Sequence, residues 1–162
     1  MKSIRSLHLT AVTATAAAAL LFTPAHTASA EAAEAAEADK PSLYERLGGQ
    51  EAIDAVVDLF YVKILDDERV NHFFEDVNMR RQIVRQKEFL AAAFGGPKPY
   101  EGRDLRTAHA GLDLTAEDFG VIAELLQASL EEAGVDEELV KEVMTIAAST
   151  KDAVLNREAA SE

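Results

Sequence analysis

Apolar side chains recur three and four residues apart over residues 51–66, and this spacing places them on one face of an α-helix. The stripe consists of Ile53, Val56, Val57, Phe60, Tyr61 and Ile64. Tyr61 carries a hydroxyl into this apolar face, and a buried phenol without a hydrogen-bond partner costs free energy. The segment therefore predicts a long amphipathic helix to about Asp66 and a polar partner for Tyr61.

Start and stop signals predict two more helices in the first half of the chain. Ser42 and Glu45 have the spacing of a capping box, which opens a short helix that Gly48 and its neighbouring glycine end. Asp76 or Asn78 can cap a further helix that runs to about residue 94, directly before two glycines and a proline.

The second half of the chain carries similar signals. Thr115 with Asp118 resembles a capping box, and the helix that follows runs to about residue 133, before a glycine. Asp136 can cap a last long helix that continues to about Asn156. We therefore predict an all-α chain with four substantial helices, because no segment alternates in the way that strands require.

An irregular segment interrupts this helical pattern at residues 98–111. Its proline and glycines predict a loop with one short helical turn near residues 104–109. A plain four-helix bundle does not need such a piece, and long loops inside compact domains are often functional. The segment holds His109, one of two histidines beyond residue 30; the other is His72.

The first thirty residues have the layout of a secretory signal. Lys2 and Arg5 precede a mostly apolar, alanine-rich run, and the small residues 28–30 fit a cleavage site near Ala30. The alternative, an uncleaved anchor, needs about 20 apolar residues, more than this run supplies. We expect export to a periplasm or the medium, an acidic linker at 31–41, a domain at 42–156 and a tail at 157–162.

Composition excludes several classes of function. Removal of the first 30 residues takes away two basic residues and no acidic one, so the formal charge moves from −13 to −15, which argues against nucleic acid and anionic membranes as partners. The chain has no cysteine, which removes thiol catalysis and zinc–thiolate or iron–sulfur sites. With two histidines left, a metal at His109 must bring most of its own ligands, as the iron of haem does.

Two glutamines share one face of the helix predicted after Asn78. Gln82 and Gln86 lie four residues apart, beside the apolar positions of that helix. Taken alone, both amides would lie at the edge of the stripe and reach water. Together with Tyr61 they point polar groups from two helices into one apolar space, where they either bond one another or surround a polar ligand.

The chain resembles the group I truncated haemoglobins over about residues 42–155. The matching segments are GGQEAI at 48–53, LFYV at 59–62, FF at 73–74, NM at 78–79, QK at 86–87, AAFGGP at 92–97, YEG at 100–102 and AH at 108–109. The resemblance implies a two-over-two helical sandwich around one non-covalent haem b. It also implies diatomic gas ligands: O₂, NO and CO.

The resemblance also implies residue roles. His109 falls on the iron ligand, Tyr61 on the distal tyrosine, Gln86 on the distal glutamine and Gln82 on a variable distal position. Phe74 falls on the ring that stacks on the porphyrin. The other implied haem contacts are Phe60, Arg85 (at a position that pairs with a propionate), Phe89, Phe119 and Ile122.

Four functions remain open from the sequence. They are reversible gas binding, oxidation of nitric oxide to nitrate with a separate reductase, haem storage or delivery outside the cytoplasm, and a cofactor-free helical interaction module. The chain has no flavin or nicotinamide motif of its own. His72 could act as an alternative sixth ligand, although exposure at the surface is the commoner state of such a histidine.

Overall fold

The computed structural model describes residues 40–157, so the predicted signal segment, most of the acidic linker and all but the first residue of the tail lie outside the described residues. No strand occurs in the described part, and the predicted all-α class is confirmed. The helices are α1 (Leu43–Leu47), α2 (Gly49–Asp66), α3 (Met79–Ala93), α4 (Leu105–His109), α5 (Ala116–Glu132), α6 (Glu137–Ser149) and α7 (Lys151–Val154), with a 3₁₀ turn at Asn71–Phe74.

The capping box at the start of α1 forms as predicted. Ser42 Oγ accepts from the Glu45 N–H at 3.2 Å, and Glu45 Oε2 accepts from the Ser42 N–H at 2.9 Å. Gly48 ends the helix with φ of 107°, a left-handed conformation that glycine adopts without a steric penalty. The same glycine is the N-cap of α2, so the chain turns from one helix directly into the next.

The predicted limits of α3 are also confirmed. Of its two candidate caps, Asn78 is the one that acts: its Oδ1 accepts from the Arg81 N–H at 3.1 Å. At the other end, the Gly96 N–H donates to the Ala91 carbonyl at 2.8 Å. A Cβ on Gly96 would lie 2.6 Å from that carbonyl oxygen, so this close turn requires glycine.

The prediction of one unbroken helix from Asp136 to Asn156 was wrong. The helix ends at Ser149, and a short separate helix follows after Thr150. Ser149 Oγ donates to the Ile146 carbonyl at 2.6 Å, and Thr150 Oγ1 donates to the Ala147 carbonyl at 2.7 Å. These hydroxyls occupy carbonyls at the end of the helix and favour termination at this point.

Helix α2 lies at the centre of the fold. It packs against α1, α3 and α5, and α5 packs in turn against α6. Its buried stripe is the one the sequence predicts, with Val57 fully buried and Ile64 nearly so. Burial of a side chain of this size contributes about 1.5–3 kcal/mol, so this helix supplies much of the stability of the core.

The connection from α2 to α3 contains a 3₁₀ turn that the sequence pattern did not predict. The 3₁₀ turn at Asn71–Phe74 packs against α2 and brings Phe74 to Tyr61. Across residues 40–157, no helix has the length and apolar character needed to cross a bilayer.

Candidate haem site

The hydroxyl of Tyr61 has a polar hydrogen-bond partner. Tyr61 is 3% exposed, and the side-chain amide nitrogen of Gln82 donates to its hydroxyl oxygen at 3.1 Å. Burial raises the pKa of Tyr61 above its usual value, and the hydrogen bond from Gln82 opposes part of that rise. The phenol is therefore protonated at neutral pH and can act as a hydrogen-bond donor.

Gln82, rather than Gln86, bonds to Tyr61. The two glutamines are one helical turn apart on α3, and both are half-buried. A turn advances about 5.4 Å along the axis, so a single phenol on the facing helix meets one amide and not both. The Gln86 amide makes no hydrogen bond to any residue in the described chain, and the expected Tyr61–Gln86 bond is absent there.

Aromatic rings hold the phenol from two sides. The ring of Phe60 lies 5.5 Å from that of Tyr61, and Phe74 meets Tyr61 edge-on at 5.9 Å. Phe60 is buried in the core, whereas Phe74 is half-buried at its margin. Edge-to-face contacts at such distances are favourable, so the position of the hydroxyl is set by packing as well as by hydrogen bonding.

Two basic residues of the distal helix α3 form ion pairs. Lys87 reaches Asp58 at 2.8 Å and Asp54 at 3.7 Å, which ties α3 to α2 one residue beyond Gln86. Arg85 is exposed and pairs with Glu88 at 2.8 Å on the same helix. The sequence did not predict that Lys87 joins the two helices, because this contact depends on how α2 and α3 face each other.

The proximal candidate, His109, is the last residue of α4 and is half-buried. Its Nδ1 lies 2.7 Å from the carbonyl oxygen of Leu105. A carbonyl only accepts, so Nδ1 carries a proton, and in the neutral imidazole Nε2 then keeps its lone pair. No residue of the described chain bonds to Nε2, and this is the tautomer that an imidazole needs to ligate a metal.

The remaining predicted haem contacts lie on α3 and α5. Phe89 is half-buried and meets Tyr100 edge-on at 5.4 Å. Phe119 and Ile122 are half-buried on α5, and Lys151 of α7 lies 5.8 Å from the centre of the Phe119 ring. His72 is exposed and its ring lies 4.0 Å from that of Phe73.

The helices that carry the two candidate faces are packed on different neighbours. Helix α3, with both glutamines, packs on α2, whereas α4, with His109, packs on α7. Among the helix pairs in residues 40–157, α3 and α4 share no extensive contact. The fold thus keeps the distal and proximal faces apart, as a planar group between them requires.

The donor set fits haem. No group of three or more His, Cys, Asp or Glu in residues 40–157 could hold a bare metal ion. One imidazole nitrogen and a buried phenol, on different helices, instead suit a macrocycle that brings four ligands to its iron. Fold and donor set together define a globin.

Comparison with known proteins agrees with this assignment. The family model for bacterial-like globins matches residues 42–156. Group 1 truncated hemoglobin GlbN from Synechocystis sp. is 47% identical, with 72% of this chain and 98% of that protein covered. The chain belongs to the bacterial-like globins and, within them, to the group 1 truncated haemoglobins.

Solved structures show the same likeness. The 2/2 hemoglobin from Synechococcus sp., solved in the cyanomet state with covalently attached haem, has a TM-score of 0.69 at 45% identity, covering 72% of this chain and all of that one. Truncated hemoglobin from Tetrahymena pyriformis, in its Fe(III) form, has a TM-score of 0.69 at 40% identity, covering 71% and 98%. The two-over-two fold is confirmed, and haem is the cofactor of this family.

Proposed function

We propose that this chain binds O₂, and also NO and CO, reversibly at one non-covalent haem b. His109 holds the haem from the proximal side, and Tyr61, with Gln82 and Gln86, surrounds the gas on the distal side. Family membership supports haem-based gas binding in general. The roles of individual residues rest on the geometry described above.

The observation that carries this proposal is the direction of the Tyr61–Gln82 hydrogen bond. Because the Gln82 amide nitrogen donates, the phenol oxygen accepts and its own proton remains available. No described residue accepts that proton. A donor held in a dry pocket stabilises a ligand with partial negative charge more than water would, by about 1.5–3 kcal/mol for a strongly charged acceptor.

On the proximal side, a hydrogen bond within the chain fixes the tautomer of His109. The Leu105 carbonyl accepts the Nδ1 proton of His109, so Nε2 would hold the haem iron through its lone pair. Bound haem would supply the iron to which the gas binds. Phe60, Phe74, Phe89, Phe119 and Ile122 supply apolar walls.

Arg85 can pair with a haem propionate at little cost. Its present partner, Glu88, is exposed, and exposed ion pairs contribute about 0–1 kcal/mol. Exchange of one carboxylate for another therefore leaves the energy of the helix almost unchanged. Arg85→Ala is expected to speed haem loss without altering the gas off-rate.

We further propose that the protein is exported and cleaved near Ala30. The basic start, apolar run and small residues at 28–30 support this proposal. N-terminal sequencing of protein from the native cell should begin at Glu31. A chain that retains residues 1–30 in the cytoplasm would contradict it.

The first experiment is the visible spectrum of the purified chain with haem, alongside His109→Ala. We expect an intense haem-protein band and an O₂ adduct that the variant loses, with folding of the variant checked by circular dichroism. A free-haem spectrum from the folded parent chain would refute the proposal. Identical spectra from parent and variant would refute the role of His109.

Nitric oxide oxidation is separated from simple gas binding by turnover. A gas carrier consumes about one NO per oxygenated haem and stops. An enzyme continues when a reductase is supplied, because the chain has no flavin or nicotinamide motif. Haem delivery would instead appear as rapid haem transfer to an acceptor protein.

A further inference from the structure

The proximal helix α4 is too short to be stable alone. It has five residues, and nucleation of a helix is unfavourable until several turns form. Its first turn is capped by Asp104, whose carboxylate accepts from the Thr107 N–H at 3.0 Å and from the Thr107 hydroxyl at 2.6 Å. At its other end the His109 carbonyl accepts from the Leu112 N–H at 3.3 Å, whereas the Arg106 carbonyl has no local backbone partner, because Ala110 leaves the helix in an extended conformation.

A distant segment supplies the missing partner. Asn156 Nδ2 donates to the Arg106 carbonyl at 3.3 Å, and that carbonyl is one of those left open at the end of α4. In return, Arg106 Nη1 donates to the Arg157 carbonyl at 2.8 Å. The two bonds join residue 106 reciprocally to residues 156 and 157, fifty positions away.

The turn that ends α7 is built to present these groups. The Arg157 N–H donates to the Asp152 carbonyl at 3.0 Å, and the Asn156 N–H donates to the Ala153 carbonyl at 3.3 Å. This is the pattern of a Schellman turn, which needs a left-handed residue where Asn156 has φ of 52°. Asparagine tolerates that conformation and, unlike glycine, also carries an amide.

The break at Thr150 is part of the same arrangement. It separates α7 from α6, and α7 then packs along α4. Lys151, the first residue of α7, also lies over the ring of Phe119 on α5. The short C-terminal helix thus connects the proximal helix to the rest of the fold.

We propose that Asn156 and Arg106 form a clamp that positions His109, with Asn156 acting as a positioning residue. Leu105, whose carbonyl holds the Nδ1 proton of His109, is the neighbour of the clamped Arg106. Restraint of that peptide segment sets the direction of the carbonyl and, through it, the plane of the imidazole. This inference rests on the proposed ligation of iron by His109.

The test uses two variants of the full chain. Asn156→Asp keeps the size and tolerates the left-handed turn, but a carboxylate cannot donate to the Arg106 carbonyl. Asn156→Gly keeps the turn and removes the amide, so one variant remains informative if the other fails to fold. Gln127→Glu is the matched control, because it makes the same chemical change on an exposed part of α5 that contacts only Glu131 through its amide.

The main measurement is the iron–histidine stretching band of the ferrous, haem-loaded protein by resonance Raman spectroscopy. Loosening of the Leu105–His109 bond makes the imidazole a weaker donor, so this band should broaden and move to lower frequency in both Asn156 variants and not in the control. Haem transfer to apomyoglobin should become about ten-fold faster, as is typical when a partner of a metal-bound histidine is lost.

The outcomes separate the clamp from the proposed function. A parent chain with no iron–histidine band would refute ligation by His109, and the clamp with it. A parent chain with the band, and variants that share its frequency, width and haem-transfer rate, would refute the clamp alone. A lower melting temperature with an unchanged band would also overturn it, because a purely structural contact predicts that result.

Discussion

Removal of a single oxygen atom, in Tyr61→Phe, tests the distal site most directly. The ring keeps its contacts with Phe60 and Phe74, at 5.5 Å and 5.9 Å, because these involve no hydroxyl. The Gln82 amide loses an acceptor, but it is half-buried and can turn to water. We therefore expect a stability change of no more than about 1 kcal/mol.

The effect on gas binding should be much larger. The phenol proton, which no described residue accepts, is the part removed. A bond to a ligand with strong partial charge contributes about 1.5–3 kcal/mol, and each 1.4 kcal/mol is a factor of ten. The O₂ off-rate should rise about ten-fold or more, whereas the CO off-rate should change less because bound CO carries little charge.

The assay is stopped-flow replacement of O₂ by CO in the parent chain, Tyr61→Phe and Tyr44→Phe. Tyr44 is a matched control, since it is half-buried and its hydroxyl bonds to nothing in residues 40–157. Tyr44→Phe should behave as the parent does. Equal O₂ off-rates in all three proteins would show that the Tyr61 phenol does not stabilise the gas.

Three further predictions concern the fold. Gly48→Ala places a Cβ on a residue with φ of 107° and should cost about 1–2 kcal/mol in urea unfolding, whereas Gly120→Ala, in open space on α5, should not destabilise. Ile64→Ala removes most of a side chain that is 1% exposed and should lower the free energy of unfolding by about 2–5 kcal/mol. Val62 is 68% exposed, so Val62→Ala should leave that free energy almost unchanged. The Arg69 guanidinium lowers the pKa of Asp67 from 3.8 to about 2, so the carboxylate contributes stability above pH 3.8 that is lost as pH falls towards 2. Between pH 3.8 and 2, the free energy of unfolding should fall less steeply in Asp67→Asn than in the parent chain. Equal slopes in the two proteins would show that the Asp67–Arg69 pair does not contribute this stability.

Helix limits were predictable because the signals that set them are local. The hydroxyl of Ser42, the amide of Asn78 and the hydroxyl of Thr115 each bond to a backbone N–H three residues away. No distant part of the chain is needed for such a cap to form. The break at Thr150 was missed although its cause is also local, because serine and threonine hydroxyls weaken a helix only slightly and the apolar pattern continues past them.

For the candidate site, the sequence predicted which residues take part but not which of them bond to each other. The apolar stripe that includes Tyr61 required a polar partner, and the spacing of Gln82 and Gln86 offered two. Which one bonds to Tyr61 depends on how α2 and α3 face each other, and the sequence of neither helix determines that orientation. The role of Asn156 was equally hidden, because its partner Arg106 is fifty residues away in sequence.

The sequence by itself determined most of the helix limits, the caps at Ser42, Asn78 and Thr115, the buried phenol and the family, since each depends on neighbours within a few residues or on a run of matching residues. It did not determine the cap expected of Asp136, whose side chain bonds to no N–H at the start of α6. The tertiary structure alone decided the pairing of Tyr61 with Gln82, the separation of the distal and proximal faces, and the contact between α7 and α4. These features arise from the packing of whole helices, in which buried area sets the geometry and individual polar groups then bond to whatever the packing has placed beside them.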